Sequence, residues 1–196
     1  MSHVWRAVPL IAALVLTASC SSGGSPAGES EAETPAQDVA SADAEPGTDA
    51  GGIARATGEA VAPAAGLPVV TLAEDGTPSI EVPTGAEPPA ELTVQTLIKG
   101  DGAEVGEGAE VSVQYAGWLW DGTEFDSSWS RGGVPLDARL ASGELIEGWV
   151  QGLVGQTVRS QVMLIIPPEL GYGEADMGTI PPNSTLIFVV DILSAS

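Results

Sequence analysis

Between Ser21 and Ala65 the chain carries no aromatic residue, and nothing apolar larger than alanine except Val39, Ile53 and Val61. Side chains of this kind cannot bury enough surface to offset the backbone entropy of ordering, about 1–2 kcal/mol per residue. The feature confines any folded unit to the C-terminal part of the 196 residues. The stretch reads as a disordered tether, extended by its prolines and its own negative charge. Short apolar pieces follow, Leu67-Pro68-Val69-Val70 and Ser79-Ile80-Glu81-Val82, separated by Glu74-Asp75-Gly76 and Pro83-Thr84-Gly85. They are expected as a lead-in lying on the domain, so residues 20–90 are assigned to linker and lead-in.

From residue 91 the pattern changes. Leu92–Ile98 is a strand candidate that ends at Lys99-Gly100-Asp101-Gly102. Glu110–Gly117 alternates polar and apolar, as a half-buried strand does. Asp121-Gly122 is a turn signal before Thr123-Glu124-Phe125. Thr157–Ile166 reads as a long strand stopped by Pro167-Pro168, and Thr185–Leu193 as a last strand. Ile146, Trp149, Val150 and Leu153 follow helical spacing, and Gly155 ends that piece. Several antiparallel strands with one short helix predict an α+β domain over 91–196, the helix lying on one face of the sheet.

Charge and the rare residues exclude several chemistries. With 27 acidic against 6 basic residues the net charge is −21. Such a surface cannot replace the counterions of a phosphate backbone, so no nucleic-acid partner is expected. The single cysteine, Cys20, rules out an intrachain disulfide and a thiol-rich zinc site. The single histidine, His3, lies in a segment expected to be removed, which leaves no Ser-His or Cys-His nucleophile. Neither metal nor cofactor is expected. Glu104, Glu107 and Glu110 read as a solvated edge, and Gly100-Asp101-Gly102 lacks the Lys-Ser/Thr of a phosphate cradle.

The N-terminus reads as an address. His3 and Arg6 precede an apolar run from Ala7 to Leu16, far short of the roughly 20 residues of a spanning helix. Residues 1–19 are therefore expected to be a signal peptide. Leu16-Thr17-Ala18-Ser19-Cys20 resembles a bacterial lipobox, which implies lipidation of Cys20. The alternative is cleavage near Ala18 with a free thiol. Acyl chains contribute about 0.8 kcal/mol per buried methylene, so a multiply acylated cysteine holds a protein at a bilayer surface. The expectation is an extracytoplasmic protein, touching the membrane through its lipid alone.

Five ordered stretches of the C-terminal part resemble the FKBP-type peptidyl-prolyl cis-trans isomerases. They are Val113-Gln114-Tyr115-Ala116-Gly117, Asp121–Ser128, Leu145-Ile146-Glu147-Gly148-Trp149, Ile166–Gly173 and Ile180–Phe188. They cover most of residues 95–193. The resemblance implies a five- to six-stranded antiparallel sheet wrapped around one short helix. It implies isomerisation of X–Pro bonds in proline-containing segments, with macrolides as candidate inhibitors.

The chemistry suits this inventory. Rotation about an X–Pro bond crosses a barrier of about 18–20 kcal/mol, and no bond is made or broken. A catalyst needs only to bind the twisted amide better than either planar form. The twisted amide carries less charge on oxygen, so a dry aromatic pocket favours it. By the resemblance Trp149 is the floor on which the proline packs, with Tyr115, Phe125 and Phe188 as walls. Asp126 turns its carboxylate toward the Tyr115 hydroxyl, and the Tyr172 hydroxyl donates to a substrate carbonyl. Leu145 and Ile146 line the entrance, the Ile146 N–H binding another carbonyl. The substrate-binding set is completed by Leu136 and Ile180. On the residues alone, Trp149 and the three aromatic walls serve equally well as ordinary core.

The chain departs from the family pattern in three places. Leu136 stands where an aromatic wall is common. The loop 173–179 is one residue short, with Thr179 in place of a second apolar residue. Arg131 is a candidate to pair with Asp126 across the 127–133 loop but stays outside the site list. Trp118, Trp120 and Trp129 are candidates to widen a peptide-binding rim. The competing reading is a proline-segment binding module or chaperone at the cell surface that grips without turnover. Oligomeric state is not written in the sequence, and a monomer is the working expectation.

Overall fold

The computed structural model describes residues 47–48 and 54–196. The expected signal peptide, Cys20 and most of the tether lie outside the described residues. Two-residue strands open the described chain: β1 (Gly47–Thr48) pairs with β2 (Ala54–Arg55), and β3 (Glu59–Ala60) follows. Next come a hairpin, β4 (Val69–Leu72) with β5 (Pro78–Glu81), then β6 (Thr93–Lys99) and β7 (Glu110–Leu119). Strands β8 (Glu124–Ser127) and β9 (Leu136–Arg139) precede helix α1 (Glu147–Leu153). The chain ends with β10 (Gln161–Ile166), a 3-10 turn (Pro168–Leu170) and β11 (Leu186–Ala195).

The main sheet runs β3-β6-β10-β11-β7-β8, antiparallel, with β9 beside the first half of β7. Side chains along a strand alternate between faces, and here both faces are buried. Val162, Leu164 and Ile166 of β10 join Leu186, Phe188, Val190 and Ile192 of β11 in a core on the helix side. Their neighbours Met163, Ile165, Ile187 and Val189 form a second core on the other side, with Trp118 and Trp129. This explains why β10 and most of β11 read as unbroken apolar runs.

Helix α1 packs against β10 through two glycines one turn apart. A Cβ on Gly148 would lie 2.4 Å from the Ile166 side chain, and one on Gly152 would lie 2.7 Å from that of Leu164. Larger residues would push the helix off the sheet and move Trp149, which the helix carries.

The second core is closed by the apolar pieces of the lead-in. Leu67 and Val70 from one side of the hairpin, and Ile80 and Val82 from the other, pack on it with Leu97 and Trp120. The Trp120 indole N–H donates to the Ala86 carbonyl at 3.0 Å. The expectation of a disordered tether through Ala65 fails for residues 54–61. Strand β3 pairs with the edge of β6, and the Val61 N–H donates to the Leu97 carbonyl. The Ala56 N–H donates to the buried Asp191 carboxylate at 2.9 Å. Composition missed this because edge pairing uses backbone groups alone and needs no apolar side chains. The ordered unit therefore begins upstream of residue 91.

The strand predicted over Thr157–Ile166 starts four residues late. Arg159 has φ 72°, and the Ser160 N–H turns back to the Thr157 carbonyl, so 157–160 is a turn. Strand β9 was not anticipated at all.

Candidate active site

The open end of the helix-side core is a cavity of about 460 Å³. Its floor is Trp149, near the start of α1 and 3% exposed. Tyr115 on β7 and Phe188 on β11 point to the same side. The indole meets both edge to face, with ring centroids 5.4 Å from Tyr115 and 5.3 Å from Phe188. Phe125 on β8 meets Phe188 in the same manner at 5.5 Å. Such pairs contribute about 0.5–1.5 kcal/mol beyond buried area and fix the ring planes. The two phenyl rings can meet because β7 has a glycine beneath them. A Cβ on Gly117 would lie 2.7 Å from the Phe125 ring and 2.8 Å from the Phe188 ring.

One wall is polar. The Tyr115 hydroxyl donates to Asp126 at 2.5 Å and accepts from Arg131 at 2.9 Å. Arg131 also pairs with Asp126, and its guanidinium lies 5.3 Å from the Tyr115 ring centroid. Burial, and then the bond to Asp126, push the Tyr115 phenol above its ordinary value, with Arg131 opposing. Burial, and then the charge of Asp126, push the Tyr172 phenol up as well. Both hydroxyls therefore keep their protons through neutral pH and remain donors.

The entrance offers unspent donors. Ile146 is extended at the position before α1, and its N–H finds no acceptor among the described residues. The Tyr172 hydroxyl makes no hydrogen bond to another described residue. The 3-10 turn sets this side chain: the Leu170 and Gly173 N–H groups return to the Pro167 and Pro168 carbonyls. The Trp149 indole N–H is also buried and unpartnered.

The family model for FKBP-type peptidyl-prolyl cis-trans isomerases matches residues 102–193. An FK506-binding protein of Streptomyces anulatus is 44% identical over 120 residues, which are 60% of this chain and 95% of that one. The chain belongs to the FKBP-type isomerase family. A second FK506-binding protein, from Neisseria meningitidis serogroup A, is 44% identical over 103 residues, 52% of this chain and 94% of its own. The crystal structure of FkpA from Escherichia coli superposes with a TM-score of 0.50 at 37% identity, over 65% of this chain and 51% of that one. The chain is accordingly an isomerase, with the antiparallel sheet and single helix that the motifs implied.

The FKBP domain brings nine of the ten pocket residues named from sequence around this one cavity: Tyr115, Phe125, Asp126, Leu136, Leu145, Ile146, Trp149, Tyr172 and Phe188. Ile180 is the exception and is a correction. It is 5% exposed and packs into the helix-side core, outside the cavity lining. Its carbonyl accepts the Met177 N–H at 3.1 Å, a turn that folds the residue inward. The three rim candidates are also corrected. Trp118 and Trp129 are buried in the second core, and Trp120 is tied to Ala86. Arg131, left off the list, belongs to the site. Its signal was present, a guanidinium five residues beyond Asp126 in a glycine-bearing loop. Gly143, Glu144, Glu147 and Gly171 also line the cavity; Glu147 and Gly171 fall within the family stretches without an assigned role, and Gly143 and Glu144 lie outside them.

Proposed function

We propose that the aromatic cavity isomerises X–Pro bonds in exported polypeptides by non-covalent stabilisation of the twisted amide. The observation that carries this is the convergence of Trp149, Tyr115, Phe125 and Phe188 around one open cavity with unspent donors at its mouth. A proline ring resting on the indole leaves its imide against ring edges, where water is scarce. A planar imide, with more charge on oxygen, suffers more from that desolvation than one midway through its turn. The Ile146 N–H and the Tyr172 hydroxyl hold flanking carbonyls, so the chain on one side of the bond is fixed while the other rotates. No proton moves and no covalent intermediate forms. Asp126, held by Tyr115 and Arg131, keeps the polar wall in place.

FK506-type macrolides are proposed ligands of the same cavity, since relatives carry that name. Cys20 is proposed to carry the lipid that retains the domain at the outer face of the membrane. This rests on the apolar run and small residues before it, together with the polar, acidic stretch after it. One chain supplies every lining residue, so a monomer suffices.

The test is a protease-coupled proline-isomerisation assay on the full chain. The expected result is a rate at least about tenfold above that of Trp149→Ala, since about 1.36 kcal/mol of lost transition-state contact costs a factor of ten. Peptide binding without acceleration would favour the module that grips without turnover. Incorporation of a labelled fatty acid, lost in Cys20→Ser, tests the anchor.

A further inference from the structure

The mouth of the cavity is acidic, and two of its carboxylates form no ion pair among the described residues. Three carboxylates line the cavity, Asp126, Glu144 and Glu147, and no lysine or arginine does. Asp126 is neutralised by Arg131. The other ion pair among the described residues joins Arg159 to Asp101, so neither Glu144 nor Glu147 is in an ion pair there, and the cationic neighbour is Arg139, which lines an adjoining cavity with Glu144. Glu144 is exposed and Glu147 half-buried, and they bracket Leu145 and Ile146. The free Ile146 N–H lies between them in sequence. A peptide whose carbonyl takes that N–H therefore lies in the cavity that both glutamates line. The remaining lining side chains are apolar apart from the two tyrosines. No cationic side chain therefore lines the cavity to pair with an anionic residue.

We propose that Glu144 and Glu147 are specificity-determining residues that select proline segments carrying a lysine or arginine beside the proline. The proposal rests on the catalytic reading above but concerns which substrates the cavity prefers. The two carboxylates stabilise a cationic neighbour and repel a carboxylate. The chain's net charge of −21 draws cationic segments in from further away.

The test compares peptides Ala-X-Pro-Ala and Ala-Ala-Pro-X, with X as Lys, Leu or Glu, on the full chain. Isomerisation is read by exchange NMR and affinity by titration. In at least one series, kcat/KM and affinity for Lys are expected to exceed those for Glu by about 3- to 10-fold at about 20 mM salt, shrinking below about 2-fold at about 0.5 M salt. In Glu144→Gln/Glu147→Gln the ratio falls toward about 1, each variant being scaled to its own Leu peptide. In Glu74→Gln/Glu81→Gln, which removes two charges from the hairpin over the other face, the ratio stays. Equal handling of Lys and Glu peptides by the native chain overturns the proposal. So does a preference that survives the cavity double substitution, or one that the hairpin substitution erases equally. If the native chain fails to accelerate the Leu peptide, the catalytic reading fails instead, and the affinity ratio alone decides the proposal.

Discussion

The two faces of the sheet are built from the same strands and end in opposite conditions. On the helix side, α1 covers only part of the face, and the aromatic rings at its end surround open space. On the other side, the hairpin β4–β5 and the Trp120–Ala86 contact close over Met163, Ile165, Ile187 and Val189. The alternate residues of one strand thus serve a site and a seal. A cavity costs contacts that its lining would otherwise make. The sealed face supplies burial that the open face gives up, and rigid strands between them hold the rings in place.

Adjacent residues of β10 test this division most severely. Leu164 and Ile165 are both fully buried, the first against Gly152 of the helix and the second under the hairpin. Leu164→Ala and Ile165→Ala are each expected to destabilise by about 2–5 kcal/mol in urea titrations. Activity separates them. Leu164→Ala loosens the helix that carries Trp149 and lowers kcat/KM, whereas Ile165→Ala leaves kcat/KM of the folded fraction within about twofold. A loss under about 1 kcal/mol for Ile165→Ala would mean that the second face is only loosely covered.

Removing residues 1–90 is the next largest perturbation. It uncovers Trp118, Ile165, Ile187 and Val189 and discards the contacts of Leu67, Val70, Ile80 and Val82. Half-buried aliphatic side chains contribute about 1 kcal/mol each, and ordering the segment offsets part of the sum. The expected net loss is about 3 kcal/mol, seen as a fall in Tm of about 6–12 °C. A truncated chain as stable as the full one would restore the linker reading for residues 54–90.

These two tests bear on the parts of the molecule that the sequence disclosed least evenly. The pocket was legible because its residues come in ordered motifs with local signatures, such as Leu145–Trp149 before a helical spacing. The long strands were legible from their apolar runs. The hairpin pieces over the second face were legible as a lead-in, but the pairing at residues 59–61 was not, because it is made by backbone. Ile180 was misplaced because an apolar residue beside a proline reads the same whether it faces a cavity or a core. Strand β9 was missed because Leu136–Arg139 has too few residues to show a period.

Asp191 gives the third test, on the sealed face. It is 1% exposed and accepts from the Ala56 N–H and, at 2.7 Å, from the Gln161 amide. Burial raises its carboxyl from 3.8 to about 6, opposed by those two bonds and by the Arg55 charge. A raised folded value means that the folded state holds the proton more tightly than the unfolded chain. Its stabilisation is complete below the unfolded value and is lost as pH rises through about 6. The gap corresponds to up to about 3 kcal/mol. Urea midpoints should therefore rise as pH falls from about 7 to about 4, and Asp191→Asn should flatten that slope. Asp75 and Asp121, whose exposed carboxyls sit below the ordinary value through bonds to Thr77 and Thr123, act in the opposite sense at lower pH. A native chain whose midpoint does not change across the window would show that Asp191 stays charged in the fold.

The smallest effect is expected at Arg131, on the open face. Its pair with Asp126 is 46% and 40% exposed at the two side chains, and solvent screens such pairs to about 0–1 kcal/mol. Arg131→Met keeps the aliphatic stem over Tyr115 and removes the charge. Stability should fall by less than about 1 kcal/mol. What the substitution releases is the Asp126 carboxylate, which keeps only the Tyr115 hydroxyl and turns its charge into the cavity. Desolvating an unpaired carboxylate beside a bound proline opposes binding, so KM should rise several-fold while kcat changes little. The Tyr115→Phe background separates the two contacts of Arg131. There the guanidinium hydrogen-bonds nothing but Asp126, and an unchanged KM penalty would assign the effect to the carboxylate rather than to the Tyr115 hydroxyl. A fall in kcat with KM intact would instead place Arg131 in contact with the turning bond.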